Sequence, residues 1–478
     1  MPLSFPATIS RSLSPSKSIK LIAILAVLLI PFVTNGASLI DIYEDALIND
    51  PRLKEAYANK QAIIESKPQA LSLLLPKLTA SSTFSDSDTN GNSTFQRRIF
   101  DPITGDLLAV TTDNTQFIQK TDGFQWDVIH QQSIIDASAW MTLKKANKVV
   151  AQAEIDYLSA EQDLMVRVCN AYFDVLAAQD TLESDQAARA AIEKQLDQAR
   201  KRFEVGLIAI TDVQESQAAF DQSIASEIGA KRNLATTKEL LREITDSYPE
   251  KLQKPGPDMP LVMPNPQSES EWVNTALQQN LNLLSAQVGT EIGRNEVNIQ
   301  KSGHYPTLGL QASKRDVDND SLRSDSGSPF SPADTENISE GIGIQLNIPI
   351  YSGGQTSSRV RQAVAQHRSA KEKLERIARE TTRKARDAYL GIISGIATVK
   401  ALEQSVQSSS TALQATEAGY DVGTRTTVDV LEARRRLYSA QTNLAISKYD
   451  YLKNIIRLKQ AAGTLSRQDL TQIDNWLQ

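Results

Sequence analysis

The chain has 478 residues, enough for two or three ordinary domains with a sizeable core. Its 51 Lys and Arg against 57 Asp and Glu give a net charge of −6, so no basic footprint for nucleic acid is present. One cysteine excludes an intrachain disulfide, His130, His304 and His367 lack ligand spacing, and the Ala, Gln, Ser and Leu content suits long, closely packed helices.

Residues 1–37 read as a cleaved export signal. Arg11, Lys17 and Lys20 precede an apolar run of 13 residues, Leu21 to Val33, and small residues follow at Gly36-Ala37. A helical membrane span takes about 20 apolar residues, so a short anchor is the weaker reading. Cleavage is expected after Gly36 or Ala37. Removing the segment takes the net charge to −9. No later stretch reaches helical membrane length, so any crossing must be made by β-strands.

The rest is written twice, as repeats over 38–246 and 269–466, with a connector at 247–268 and a C-terminal tail at 467–478. Phe203-Glu-Val-Gly-Leu-Ile-Ala-Ile-Thr-Asp-Val213 matches Tyr420-Asp-Val-Gly-Thr-Arg-Thr-Thr-Val-Asp-Val430 at an offset of 217, and Glu215 and Glu432 continue the match. Leu75-Pro-Lys-Leu78 matches Tyr305-Pro-Thr-Leu308 at 230, whereas Ile134 and Ile350 are 216 apart, so the first copy carries a loop 14 residues longer. A period this long implies duplicated halves rather than a solenoid. Prolines at 249, 255, 257, 260, 264 and 266 make the connector extended.

Each repeat is expected to run helix, strand, polar loop, strand, very long helix, turn, long helix. Residues 138–204 contain no proline and would run roughly 100 Å as a helix, and 355–418 is similar. Leu164, Val168, Ala171, Val175, Ala178 and Leu182 keep a heptad rhythm. So do Ala385, Ala388, Ile392, Gly395, Val399, Leu402 and Val406, which predicts coiled-coil contacts at close approach. Four two-faced strands of roughly ten residues are expected, the length of a tilted membrane strand. Leu78, Ala80 and Phe84 alternate with polar residues, as do Phe124, Trp126 and Val128, then Leu308, Leu310 and Ala312, then Ile342 to Ile350. A half-buried soluble sheet would alternate in the same way; the export signal favours a barrel. Four strands cannot close alone, since small barrels start at about eight, so the chain must oligomerise.

No nucleotide-binding, zinc-protease, nucleophile-elbow or paired-cysteine motif occurs, so no catalytic residues, metal or cofactor are expected. Gly353-Gly354 reads as a strand-to-helix turn rather than a phosphate cradle, and Cys169 as a packing residue.

Four blocks give the chain a resemblance to the TolC family of outer-membrane efflux ducts. They are Gly303-His-Tyr-Pro-Thr-Leu308, Arg202-Phe-Glu-Val-Gly-Leu-Ile-Ala-Ile-Thr-Asp-Val-Gln214, Pro349-Ile-Tyr-Ser-Gly-Gly354 and Gly419-Tyr-Asp-Val-Gly-Thr-Arg-Thr-Thr-Val-Asp-Val-Leu431. The resemblance extends from about Leu39 to Leu470. It implies an α+β membrane protein: a homotrimer whose four strands per chain close a twelve-stranded barrel in outer-membrane lipid, continued by a coiled-coil tunnel through the periplasm. Residues 86–123 and 317–339 would be external loops. The implied function is passive export of drugs, other small molecules or proteins, with an inner-membrane pump supplying energy through a periplasmic adaptor. A periplasmic coiled-coil adaptor or structural protein without a channel is the alternative, and a secreted enzyme a weaker one.

The resemblance also assigns residues. Val205, Gly206, Leu207, Val422, Gly423 and Thr424 match adaptor-binding tips. Gln195, Thr211, Asp212, Glu417, Tyr420 and Arg425 match tethers that hold the periplasmic end closed. Asp429 and Glu432 match an acidic ring at the constriction, where threefold symmetry would gather six carboxylates and raise some of their pKa values. Arg434-Arg435-Arg436 departs from the family pattern. Arg436 follows Glu432 by four residues, so the two are expected to pair along the helix and weaken the ring.

Overall fold

The computed structural model describes residues 36–249, 251–256 and 259–477; the export-signal reading lies almost wholly outside them. The first repeat comprises α1 (Leu39–Asn49), α2 (Pro51–Ile64), α3 (Ser66–Ser72), β1 (Lys77–Phe100), β2 (Leu107–Ile135), α4 (Ala137–Glu204) and α5 (Ile210–Thr245). The second comprises α6 (Glu269–Gln279), α7 (Leu281–Ser302), β3 (Thr307–Asp325), β4 (Ser331–Pro332), β5 (Thr335–Asn347), α8 (Gln355–Asp421) and α9 (Thr427–Ala462). Helix α10 (Arg467–Asp474) closes the chain.

The duplication is visible element by element. Helices α4 and α8 have 68 and 67 residues, and α5 and α9 have 36 each. Asp50 ends α1 and starts α2, and Asn280 does the same between α6 and α7. Each side chain accepts the N–H three residues on, from Leu53 at 2.8 Å and from Leu283 at 3.1 Å, satisfying a helix-start donor.

The expected heptad seams are buried at Leu164, Val168, Ala171, Val175 and Ala178, and at Ala385, Ala388, Ile392 and Val399. At Gly395 an added Cβ would lie 3.6 Å from that of Tyr451, an ordinary contact distance, so α8 and α9 pack side by side there with room for one methyl. The most extensive buried apolar cluster lies along the middle of the long helices, where Tyr172, Phe173, Tyr451, Leu452 and Ile456 are buried with residues of α1 and α10. Cys169 is buried in this core as a packing residue. The connector is pinned to it without regular structure: Tyr172 donates to the Gln253 carbonyl, and Tyr451 to that of Val262. The 467–478 tail is more than a tail. Ser466 and Asp469 form a capping box, and α10 seats Leu470 and Ile473 in the core.

The strands run antiparallel in the order β1, β2, β3, with β4 and β5 both on the far side of β3. Within the protomer one edge of β1 and one of β5 stay free among the described residues. Leu78, Phe84, Ile342, Ile344 and Leu346 are exposed on one face, and Phe84 packs on Phe124 with ring centroids 4.6 Å apart. The opposite face carries Ser81, Thr83, Gln125, Gln311 and Gln345.

Two expectations need correction. The strands are 24, 29, 19 and 13 residues long rather than about ten, and most of the expected loops 86–123 and 317–339 is strand. Backbone pairing continues past the apolar band, where apolar residues are sparse and no longer alternate with polar ones. The last strand also stops at Asn347, because Pro349 cannot donate to a ladder. Gly353 and Gly354 then take φ of 63° and 82° to turn the chain into α8.

Candidate functional site at the helical tips

Both long helices end in the same backbone turn, at the far end from the sheet. After α4, Gly206 N donates to the Phe203 carbonyl and Leu207 N to that of Arg202, both at 2.9 Å. After α8, Gly423 N donates to Tyr420 at 3.1 Å and Thr424 N to Gly419 at 2.8 Å. This double bond pattern satisfies the last carbonyls of a helix and needs a left-handed residue; Gly206 and Gly423 have φ of 76° and 81°. Val205, Leu207 and Val422 are 70–75 % exposed at the turns.

The chemistry of the two turns differs. Helix α5 starts at Ala209 with no side-chain cap, beside exposed Leu207 and Ile210. Helix α9 starts with a capping box, in which the Asp429 carboxylate accepts from Thr426 N and Thr426 Oγ1, both at 2.9 Å. Those hydrogen bonds hold the Asp429 carboxyl below its ordinary range, so within the protomer its direction is opposite to that expected from crowding in a ring.

Glu432 and Arg436 pair along α9 at 3.0 Å, as the i+4 spacing predicts, with Arg435 3.9 Å from the same carboxylate. Arg434 points elsewhere. Its guanidinium, 17 % exposed, donates to Glu417 at 2.7 and 3.1 Å and to the Ala191 carbonyl at 2.7 Å, joining α9 to α8 and α4. The arginine cluster is therefore split between a cross-helix brace and the Glu432 site. Sequence spacing could not show this, because the contact to Ala191 spans 243 positions.

The residues expected to act as tethers are only partly brought together in one protomer. Tyr420 is buried; its ring lies 4.5 Å from the Arg202 guanidinium, and its hydroxyl accepts from Thr427 Oγ1 at 3.4 Å. Arg202 also pairs with Asp421 at 3.2 Å, so it joins the tip of α4 to the tip of α8, a role the sequence reading missed. Its only sequence signal was a base in the last turn of a helix. Arg425 folds back over Gly419, where an added Cβ would meet Arg425 Cγ at 2.8 Å. Among the described residues Arg425 forms no ion pair within the protomer, with Asp212 or otherwise. Gln195 is buried with its amide nitrogen unbonded, Glu417 is held by Arg434, and Thr211 is exposed. Above the tip, Arg189 and Glu227 brace α4 against α5 at 2.8 Å; hydrogen bonds from Lys231 and Arg189 lower the Glu227 carboxyl to about 2.

Residues 42–246 and 272–464, one segment per repeat, match the family described as Outer membrane efflux protein. The chain belongs to that family. Outer membrane protein TolC of Vibrio cholerae serotype O1 is 36 % identical over 91 % of this chain and 93 % of its own length. The Escherichia coli K12 protein of the same name is 34 % identical over 93 % and 86 %. Alkaline protease secretion protein AprF of Pseudomonas aeruginosa is 31 % identical over 90 % and 85 %. Among solved structures, the CmeC outer membrane channel of Campylobacter jejuni superposes with a TM-score of 0.66 at 18 % identity, covering 99 % of this chain and 97 % of that one. As an outer membrane efflux protein, the chain is an outer-membrane channel with the fold of trimeric ducts, a β-barrel continued by a helical periplasmic barrel. In such a barrel an apolar face meets lipid and a polar face lines the lumen, and this sheet carries that two-faced pattern.

Proposed function

We propose that the chain is the passive exit duct of a tripartite export system, with no catalytic centre of its own. An inner-membrane pump supplies energy, and the hairpins of a periplasmic adaptor dock on the helical tips. The observation that carries this reading is the pair of equivalent turns with unlike chemistry. The Val205-Gly206-Leu207 turn offers exposed apolar side chains and an uncapped helix start, which suits a docked partner. The Val422-Gly423-Thr424 turn has a hydroxyl in place of Leu207 and leads into the capped start of α9, while Asp212 and Glu215 after the first turn repeat Asp429 and Glu432 after the second.

Closure then rests on two layers. Within the protomer, Arg202 and Arg434 join neighbouring helices. Between protomers, Arg425 meets Asp212, and the unbonded Gln195 amide finds an acceptor. Bonds of this kind are individually modest and polar, which suits a gate that must open. Asp429 and Glu432 of three protomers line the constriction and favour cations. The names of the relatives point to both efflux and protease secretion. Residues 1–37 direct export and are removed.

Docking is tested by cross-linked co-purification with the adaptor from membranes. Val205→Asp with Leu207→Asp should abolish recovery of the adaptor while leaving the heat-modifiable trimer intact. Full recovery by the double variant would place the adaptor elsewhere.

A further inference from the structure

The first hairpin outreaches the second. The last pair joining it to β3 is Phe117 with Asp325, beyond which β1 and β2 continue as a two-stranded ribbon to a turn at residues 101–106. From Phe117 to Leu107 that is about 33 Å of free ribbon. Its stem is mostly polar, with Ser93, Thr94, Gln96, Thr112, Asn114 and Gln116 around the exposed Phe95 and Val110. Its end is not. Ile99, Phe100, Leu107 and Leu108 are exposed there, and Ile103 at the apex is 93 % exposed. The apex is preformed, because the Asp101 carboxylate accepts the N–H groups of Ile103 at 2.7 Å and Thr104 at 3.1 Å, and Gly105 turns with φ 76°.

A lone two-stranded ribbon is marginal in water, and apolar side chains gathered at its end call for a cover. The protein's own membrane is a poor one. The lipid-facing Phe84 lies 15 residues before Ile99, about 50 Å along the strand. The trimer supplies a nearer surface. β1 is the edge strand that closes onto the next protomer, so each ribbon rises from a subunit seam. Twelve strands about 4.8 Å apart and tilted about 40° enclose a radius of roughly 12 Å, well within the ribbon's reach. Arg97 sits on the lumen-facing side two residues below Ile99, with Asp113 diagonally across the ribbon to offset it.

We propose that the three ribbons lean over the channel mouth and that their tips pack against one another on the threefold axis, forming an external cap. The proposal rests on the trimeric duct and adds a second closure at the cell surface, opposite the periplasmic tips. The cap is held by apolar packing rather than by charge, so it resists salt while the periplasmic tethers do not.

The test is Ile103→Cys in the full-length protein, with Thr104→Cys as a second apex position and Thr94→Cys on the outward side of the stem. Cys169 is buried and stays silent. Mild oxidation of intact cells should convert most of the apex variants to a disulfide-linked dimer on non-reducing gels, with Thr94→Cys remaining monomeric. A trimer whose apex cysteines take up a membrane-impermeant maleimide but do not cross-link overturns the cap. So does a trimer whose apex cysteines neither label nor cross-link, which would put the tips in another surface. Absence of the heat-modifiable trimer itself overturns the duct, and the cap with it.

Discussion

The two repeats share one backbone and differ in what they bury at equivalent places. At the junction of the short helices the first repeat places Asp50, 2 % exposed, against Arg167 in a two-pronged ion pair at 2.8 and 2.9 Å. The second places Asn280, whose amide donates to the Ala461 carbonyl at 3.0 Å. Both residues cap the following helix, so the fold requires the acceptor and not the charge. The tips repeat the lesson. The backbone turn, the exposed valine and the carboxylates Asp212/Asp429 and Glu215/Glu432 are common to both, whereas the side-chain cap belongs to the second and Leu207 stands where the second has Thr424. Duplication kept the geometry and let the side chains divide the work.

The largest expected effect breaks the junctions separately. Asp50→Ala strands Arg167, which keeps only the exposed Asp163 at 2.9 Å, and should cost about 3 kcal/mol. Asn280→Ala removes a cap and a neutral hydrogen bond and should cost about 1–2 kcal/mol. Thermal loss of the trimer measures both. Burial opposes ionisation of Asp50, but the hydrogen bonds from Arg167 and Leu53 N outweigh it and hold the carboxyl below its usual 3.8. The stability it contributes is therefore complete above pH 3.8 and lost as pH falls through its lower folded value. Asp50→Asn, which copies the second repeat, should flatten that acid limb.

A smaller effect follows at the tips. Ala209→Ser gives the first tip the helix cap that the second already has and should stabilise α5 by about 1 kcal/mol. Equal adaptor recovery would show that docking reads the apolar side chains and not the uncapped helix start. The smallest effect belongs to Arg436. Arg436→Thr removes the nearer of the two arginines at Glu432, leaving Arg435 at 3.9 Å, and should strengthen cation preference, read as a reversal-potential shift under a salt gradient. Exposed charges are screened over about 8 Å at physiological ionic strength, so the shift should be modest. An unchanged potential would turn Arg436 away from the lumen.

Much of this architecture is legible in the residues. The repeats, the long helices and the tip glycines follow from self-similarity, heptad spacing and the need for left-handed turns. The ribbon was not legible, because a two-stranded ladder in water imposes no apolar alternation to read. Helix α10 was overlooked although Ser466 and Asp469 stand at capping-box spacing and Leu470 and Ile473 follow on one face. At the helical tips, sequence marked Tyr420, Arg425 and Glu417 but not Arg202 or the brace made by Arg434. Those partners lie on different helices, and their meeting depends on how the tips pack.

The central claim is that polar links at the periplasmic tips hold a trimeric duct closed. Single-channel conductance in planar bilayers tests it most directly, with Arg202→Ala and Arg425→Ser combined so that the link within the protomer and the one between protomers are both removed. The parent trimer should conduct weakly, and the double variant should conduct several-fold more with hardly any loss of trimer stability. A variant trimer of unchanged conductance would contradict the account and assign closure to the apolar helix seams.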